Sequence, residues 1–260
     1  MYTVAAFAFG LMFGSFLNVC IYRMPKRQSV IMPRSQCPHC RHLIRWYDNV
    51  PVLSYLILKG KCRDCGARIS PRYPAVELLT ATLFAAIVTR FGLTPAGFVY
   101  LALAMALIVE TFIDLEYQII PDAITLPGLA IGIAVSAAYP ALQGRSLWWQ
   151  GLAVSAAGAL AGGGMLYLTG TLTEWVIKKE ALGGGDVKLL ALIGAVIGPL
   201  GAFWTVFAAS VLGSFVGIYL RVRRGREQIP FGPYLAAGAI LFLFVGQASV
   251  DAYLRYLHLS

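Results

Sequence analysis

Residues 95–113 read PAGFVYLALAMALIVETFI, a run in which Glu110 is the one charged side chain, and Asp114 follows immediately. About 20 apolar residues are enough for a helix to cross the hydrocarbon core of a bilayer, so this stretch is expected to be a membrane span with an acid at its end. Seven further apolar runs flank it: Tyr2 to Ile21, Pro74 to Phe91, Ile119 to Ala138, Trp149 to Leu168, Val187 to Ile197, Leu200 to Leu220 and Phe231 to Gln247. The sixth run in chain order is short and ends at Gly198-Pro199, which leaves seven spans as the rival count. The composition agrees with a polytopic membrane protein. Of 260 residues, 58% are hydrophobic and 13% charged, against about 25% charged in soluble domains. An ordinary soluble enzyme and a disordered chain are both excluded. The expected fold is all-α, with about eight transmembrane helices and one small polar segment. It divides into residues 1–21 as a first span, 22–73 as the polar segment and 74–260 as a helical membrane core.

The net charge of +9 is unevenly placed. With the polar segment inside and spans alternating from there, all of the 21 Lys and Arg residues except Arg90, Arg145 and Arg255 fall on the inner side. The cations therefore report topology and a lipid bilayer, and no nucleic-acid partner is expected. The N-terminus is placed outside. Residues 1–19 lack the basic flank that precedes a cleavable signal, so the first helix reads as a retained anchor.

Residues 22–73 hold Cys37-Pro38-His39-Cys40 and Cys62-Arg63-Asp64-Cys65, four of the chain's five cysteines. Two such pairs, 21 residues apart, can set four thiolates at the corners of a tetrahedron, the closed geometry of structural zinc. A cytoplasmic location keeps thiols reduced and favours metal over disulfides. Unliganded redox pairs are the competing reading. Cys20 reads as packing, and no internal repeat is evident beyond two helix-Asp-helix passages. Thr171 to Ala181 reads as a short amphipathic surface helix, with Trp175 and Val176 toward lipid.

Ionisable groups at membrane depth are costly and are functional candidates by default. Asp114 closes an apolar run, and Ile120-Pro121-Asp122 follows closely. Asp186 closes Leu182-Gly183-Gly184-Gly185-Asp186 and precedes another apolar run, where it is expected to act as an N-cap. Both acids then lie on the same side at similar depth. Two neighbouring carboxylates share a proton, leaving one as base and one as acid, which suits water-mediated peptide hydrolysis. A helix N-terminus favours a charged Asp186 and a helix C-terminus disfavours a charged Asp114, so Asp186 is the expected base. Caps of interfacial helices are the competing reading. Gly183, Gly185, Asp122 and Lys188 are the supporting candidates. Glu77 and Asn18 serve either a second activity or the packing of the polar segment.

Taken together, Gly14 to Val19, Tyr22 to Pro25, the two cysteine pairs, Arg45 to Pro51, Ser70 to Leu78, Asp114 to Asp122 and Gly183 to Lys188 resemble one family. It is the type IV prepilin leader peptidases, intramembrane aspartic proteases of the Gly-x-Gly-Asp type. The resemblance implies that Asp114 and Asp186 are catalytic, and that basic leaders of prepilins or secretion pseudopilins are cut after a glycine at the cytoplasmic face of a bacterial inner membrane. It also implies N-methylation of the new terminus with S-adenosylmethionine, at residues the spacing does not reveal, and zinc on Cys37, Cys40, Cys62 and Cys65. A zinc-binding membrane scaffold without catalysis is the alternative. A zinc protease is disfavoured, since four Cys ligands leave no open position.

Overall fold

In the computed structural model residues 2–178, 183–224 and 230–256 are described; they are mostly helical, and the polar segment after the first helix is largely loop. The helices are α1 (Tyr2–Arg23), α2 (Leu53–Ile57), α3 (Arg72–Phe91), α4 (Pro95–Tyr117), α5 (Asp122–Ala138), α6 (Trp148–Ile177), α7 (Gly184–Arg224), α8 (Gly232–Leu241) and α9 (Gln247–Tyr256). Among the described residues, six helices are long and apolar enough to cross a membrane, and α5 is a shorter apolar one. The chain forms two compact units, residues 1–113 and 114–260.

In the first unit α1 lies against α3 through Gly10 and Gly14. A Cβ at Gly10 would stand 2.5 Å from the Ala81 Cα, and one at Gly14 2.6 Å from the Glu77 Cα. Small residues four apart let two helix backbones touch where lipid supplies no hydrophobic drive. The polar segment is tied to this pair. Asn18 donates from Nδ2 to the Tyr73 carbonyl at 3.0 Å, and Glu77 Oε2 accepts the Val52 N–H at 2.7 Å. These contacts show both side chains holding the segment on the helices. Val52 is kept at a positive φ of 61°, a conformation that a β-branched residue rarely adopts.

The second unit is built on glycine contacts between α6 and α7, with Gly158 against Gly194 and Gly162 against Leu190. α7 breaks at Gly198 (φ 78°), just before Pro199. A Cβ at Gly194 would lie 3.2 Å from the Ala202 Cβ. Residues eight apart in a straight helix stand about 12 Å apart, so the chain folds back at this corner. Its two arms are the sixth and seventh apolar runs. Pro199 has no N–H to offer the Ala195 carbonyl, and three side chains take its place. Ser155 Oγ donates at 2.7 Å, Gln143 Nε2 at 3.0 Å and Ser136 Oγ at 3.4 Å.

Two expectations are corrected. Thr171 to Ile177 is not a separate surface helix but the end of α6, because nothing between Leu168 and Thr171 breaks the helical backbone. That helix stops at Lys178 in the left-handed conformation; residues 179–182, and with them Glu180, lie outside the described residues, as does Glu227. The polar segment also contains a repeat after all. In the first loop Cys37 N–H reaches His42 O, Arg41 N–H reaches Cys37 O and Ile44 N–H reaches Ser35 O. In the second, Cys62 N–H reaches Ala67 O, Gly66 N–H reaches Cys62 O and Ile69 N–H reaches Gly60 O, each bond 25 positions later. Arg41 and Gly66 occupy the same left-handed position in the two loops. Only the cysteines and the following Ile are shared, since backbone bonding sets these loops and leaves most side chains free to vary.

Candidate active site and metal centre

The acidic site is assembled by three helix ends of the second unit. α4 ends where Gln118 turns left-handed (φ 55°) and returns its N–H to the Asp114 carbonyl at 2.9 Å. Pro121 then starts α5, so Asp114 and Asp122 are separated by a tight turn. Asp114 is buried. Its Oδ2 accepts the backbone N–H of Gly232 at 3.0 Å, from the first residue of α8.

Asp186 does not cap α7 as expected. The helix starts at Gly184, Gly183 provides the capping carbonyl to the Asp186 N–H at 3.1 Å, and Asp186 sits in the first turn. With three glycines free of side-chain constraint the helix begins three residues earlier than a cap at Asp186 requires. The Asp186 carboxylate turns back and takes a hydrogen bond from the Gly183 backbone, the reach of the third helical residue in a capping box. A Cβ on Gly183 would stand 3.3 Å from Asp186 Oδ2.

Asp114 and Asp186 lie within electrostatic reach of one another. Ile120 sits between the two helix starts: a Cβ on Gly185 would be 2.8 Å from its Cβ, and one on Gly232 3.4 Å from its Cδ1. Each carboxylate therefore faces a helix N-terminus, Asp186 that of α7 and Asp114 that of α8. The expected asymmetry loses its premise, because α8 supplies Asp114 with the positive helix end that its own helix denies it. Gly232 and Ile120 were not singled out from the sequence; Phe231-Gly232-Pro233 ahead of an apolar run was the available signal, as a helix start.

Asp122 and Lys188 are paired with each other. Lys188 Nζ donates to both Asp122 oxygens, at 2.7 and 2.8 Å, with both side chains substantially exposed. This clamp joins the first residue of α5 to the fifth residue of α7.

In the first unit the Sγ atoms of Cys37, Cys40, Cys62 and Cys65 all lie within 4.8 Å of one another, and Cys37 and Cys65 are 3.8 Å apart. Thiolates about 2.3 Å from a tetrahedral ion stand about 3.8 Å from each other, so the cluster is compatible with a metal. All five cysteines are free thiols. Burial works against a charged Cys37, but the backbone N–H groups of Cys40 and His39 and the neighbouring thiols hold its pKa down to about 7. Cys40 takes a lowering bond from the His42 backbone, yet desolvation and the other three thiols push it up to about 12. The second loop is braced by a fork from Arg63 onto Asp48, at 2.6 and 2.7 Å.

Comparison with known proteins places these two constellations in two matched regions. Residues 8–91 match the bacterial peptidase A24 N-terminal domain and residues 101–218 match the type IV leader peptidase family. The chain belongs to the type IV leader peptidase family. It is 40% identical over 261 residues to a Prepilin leader peptidase/N-methyltransferase of Pseudomonas putida, covering 90% of this chain and 88% of the relative. An Aeromonas hydrophila protein of the same name is 37% identical over 285 residues, covering 98% and 94%. One from Myxococcus xanthus is 42% identical over 227 residues; the match takes in 87% of this chain but 65% of that relative's length. No solved structure matches. The N-terminal domain match contains all four clustered cysteines, and the leader peptidase match contains both Asp114 and Asp186. Gly232, which fastens Asp114, lies beyond both.

Proposed function

We propose that this chain is an intramembrane aspartic endopeptidase that removes the basic leader of type IV prepilins or secretion pseudopilins, and that it also N-methylates the new N-terminus. The observation that carries the reading is the meeting of two carboxylates, each on a helix N-terminus, inside the region that matches the leader peptidase family. One carboxylate takes a proton from a water as it attacks the scissile carbonyl. The other, protonated, donates to the carbonyl oxygen. As the C–N bond breaks, the first carboxyl passes the proton it took from water to the leaving amine, and the second takes back a proton from the collapsing diol. The Gly232 and Gly183 N–H groups hold the two carboxylates in place. Gly184, in the first turn of α7, has open space where a side chain would stand, which leaves room at this helix start for an extended peptide.

The orientation follows from the cations. A basic leader is retained on the side where this chain carries its own Lys and Arg, which puts the dyad at the cytoplasmic face of a bacterial inner membrane and the N-terminus outside. Zinc on the four cysteines would supply folding energy to a segment with little core of its own, and four thiolates leave it no open position for catalysis.

The test is cleavage of a model prepilin in membranes by wild type, Asp114→Asn and Asp186→Asn at matched enzyme levels. Each substitution is expected to abolish cleavage while metal content stays at the wild-type value. Wild-type cleavage by either variant overturns the dyad and leaves the scaffold reading.

A further inference from the structure

An open cavity of about 400 Å³ lies in the first unit between α1 and the loop from Val30 to Asn49. Its volume is in the range of about 300–1,000 Å³ that small ligands occupy. The α1 wall is Met12, Ser15, Phe16, Val19 and Arg23, a spacing that places them on one face of the helix. α1 is long and apolar enough to cross a membrane, and Met12 stands near the middle of that span. From Met12 to Arg23 the helix rises about 16 Å, and one leaflet of hydrocarbon is about 15 Å deep. The wall therefore runs from apolar side chains at mid-membrane depth to a guanidinium at the membrane surface. We propose that this cavity binds an anionic phospholipid, with the phosphate against Arg34 and Arg23 and an acyl chain along Met12, Phe16 and Val19.

The charge of the lining decides the headgroup. Arg23 and Arg34 line the cavity and no acidic residue does. Among the described residues neither arginine is in an ion pair. Arg23 is buried and donates to the Ser29 carbonyl at 2.9 Å and the Pro33 carbonyl at 2.8 Å, which shapes the loop and leaves the positive charge uncompensated. Arg34 is exposed, and its planar fork matches a phosphate. Around them, residues 22–73 carry eleven Lys and Arg against two acids, Asp48 and Asp64. Both acids are already paired, with Arg63 and Arg45. A basic cluster beside a span attracts anionic headgroups and repels a basic peptide.

The apolar end of the cavity calls for a ligand with a tail. Met12 and Phe16 are exposed on α1, and Ile31 adds an exposed apolar side chain from the loop. A free phosphate would leave these three against water. Trp46, 77% exposed, supplies the amphipathic ring that sits at headgroup level, and Asn49 offers an amide to glycerol hydroxyls. A lipid held here joins the loop to α1 at the membrane surface.

The test uses purified, metal-loaded full-length protein in nanodiscs of phosphatidylcholine with a small share of phosphatidylglycerol that carries a photoreactive acyl chain. Cross-links are expected on the Met12, Phe16 and Val19 face of α1 and on residues 30–35. In detergent, Arg34→Glu is expected to bind radiolabelled phosphatidylglycerol about tenfold or more weakly than wild type, and Arg34→Lys within about threefold, because lysine keeps a point charge for the phosphate. Excess phosphatidylcholine or glycerol 3-phosphate is expected to leave the label bound. Equal binding by wild type and Arg34→Glu at unchanged metal content, or cross-links found only on other helices, overturns the site. Displacement by glycerol 3-phosphate identifies a free-phosphate site, displacement by phosphatidylcholine identifies ordinary boundary lipid, and displacement by a model prepilin identifies a substrate groove. Each of these three also overturns the proposal.

Discussion

The backbone N–H of Gly232 donates to Asp114 Oδ2 at 3.0 Å, across 118 residues of chain. A Cβ added at Gly232 would stand 2.7 Å from that same oxygen and 3.3 Å from the Asp114 Cγ. Gly232→Ala therefore forces the carboxylate off its bond. A misplacement of about 1 Å at a reacting group can cost about 100-fold in rate, and prepilin cleavage by Gly232→Ala is expected to fall by that order with normal expression. Wild-type cleavage would show that the α8 start does not position Asp114.

Asp122 and Lys188 form an exposed pair, worth about 0–1 kcal/mol at such sites. Asp122→Asn and Lys188→Met are expected to cut prepilin within a few-fold of wild type, with a small drop in melting temperature. A loss of cleavage comparable to that of Asp114→Asn would make Asp122 a member of the machinery.

One zinc per chain is expected by elemental analysis of the purified protein, falling to near zero in Cys37→Ser and Cys62→Ser. A strong chelator should strip it and expose the polar segment to protease, since a segment with so few buried apolar residues depends on its metal. Resistance of the chelated segment would remove the structural role.

Arg63 holds the Asp48 carboxyl below its ordinary value by hydrogen bond and charge. A depressed folded pKa means that the pair stabilises fully above the unfolded value of about 3.9 and is lost as pH falls through the lower folded value. Asp48→Asn should melt below wild type at pH 6, and the gap should close as the medium is taken below about pH 4. A gap that persists unchanged at pH 3 would mean the fork contributes nothing through ionisation.

At the α7 corner the Ala195 carbonyl, denied an N–H by Pro199, accepts from Ser155, Gln143 and Ser136. Removing one donor to a buried polar group costs about 1–3 kcal/mol at most. Because two donors remain, Ser155→Ala should lie at the low end and a Ser155→Ala, Gln143→Leu double variant well above the sum. Thermal melts in detergent would measure both; simple additivity would show that the three bonds do not substitute for one another.

Apolar run length made the helices legible, because a span must satisfy its backbone internally and so needs only a sufficient count of apolar residues. The cysteine spacing was legible for a similar reason, since tetrahedral ligation demands short, fixed intervals. Asp114 and Asp186 stood out because acids at membrane depth are costly and therefore rare. What they touch was not legible. The sequence held no distance between Phe231-Gly232-Pro233 and Asp114, and no reason to prefer Lys188 with Asp122 over Lys188 with the dyad. The helix ends that Asp114 and Asp186 face, the corner that folds α7 back on itself and the cavity beside Trp46 come from backbone packing between segments distant in the chain. Periodicity and spacing report local chemistry, whereas a carboxylate's partners depend on which helix terminus tertiary packing brings to it.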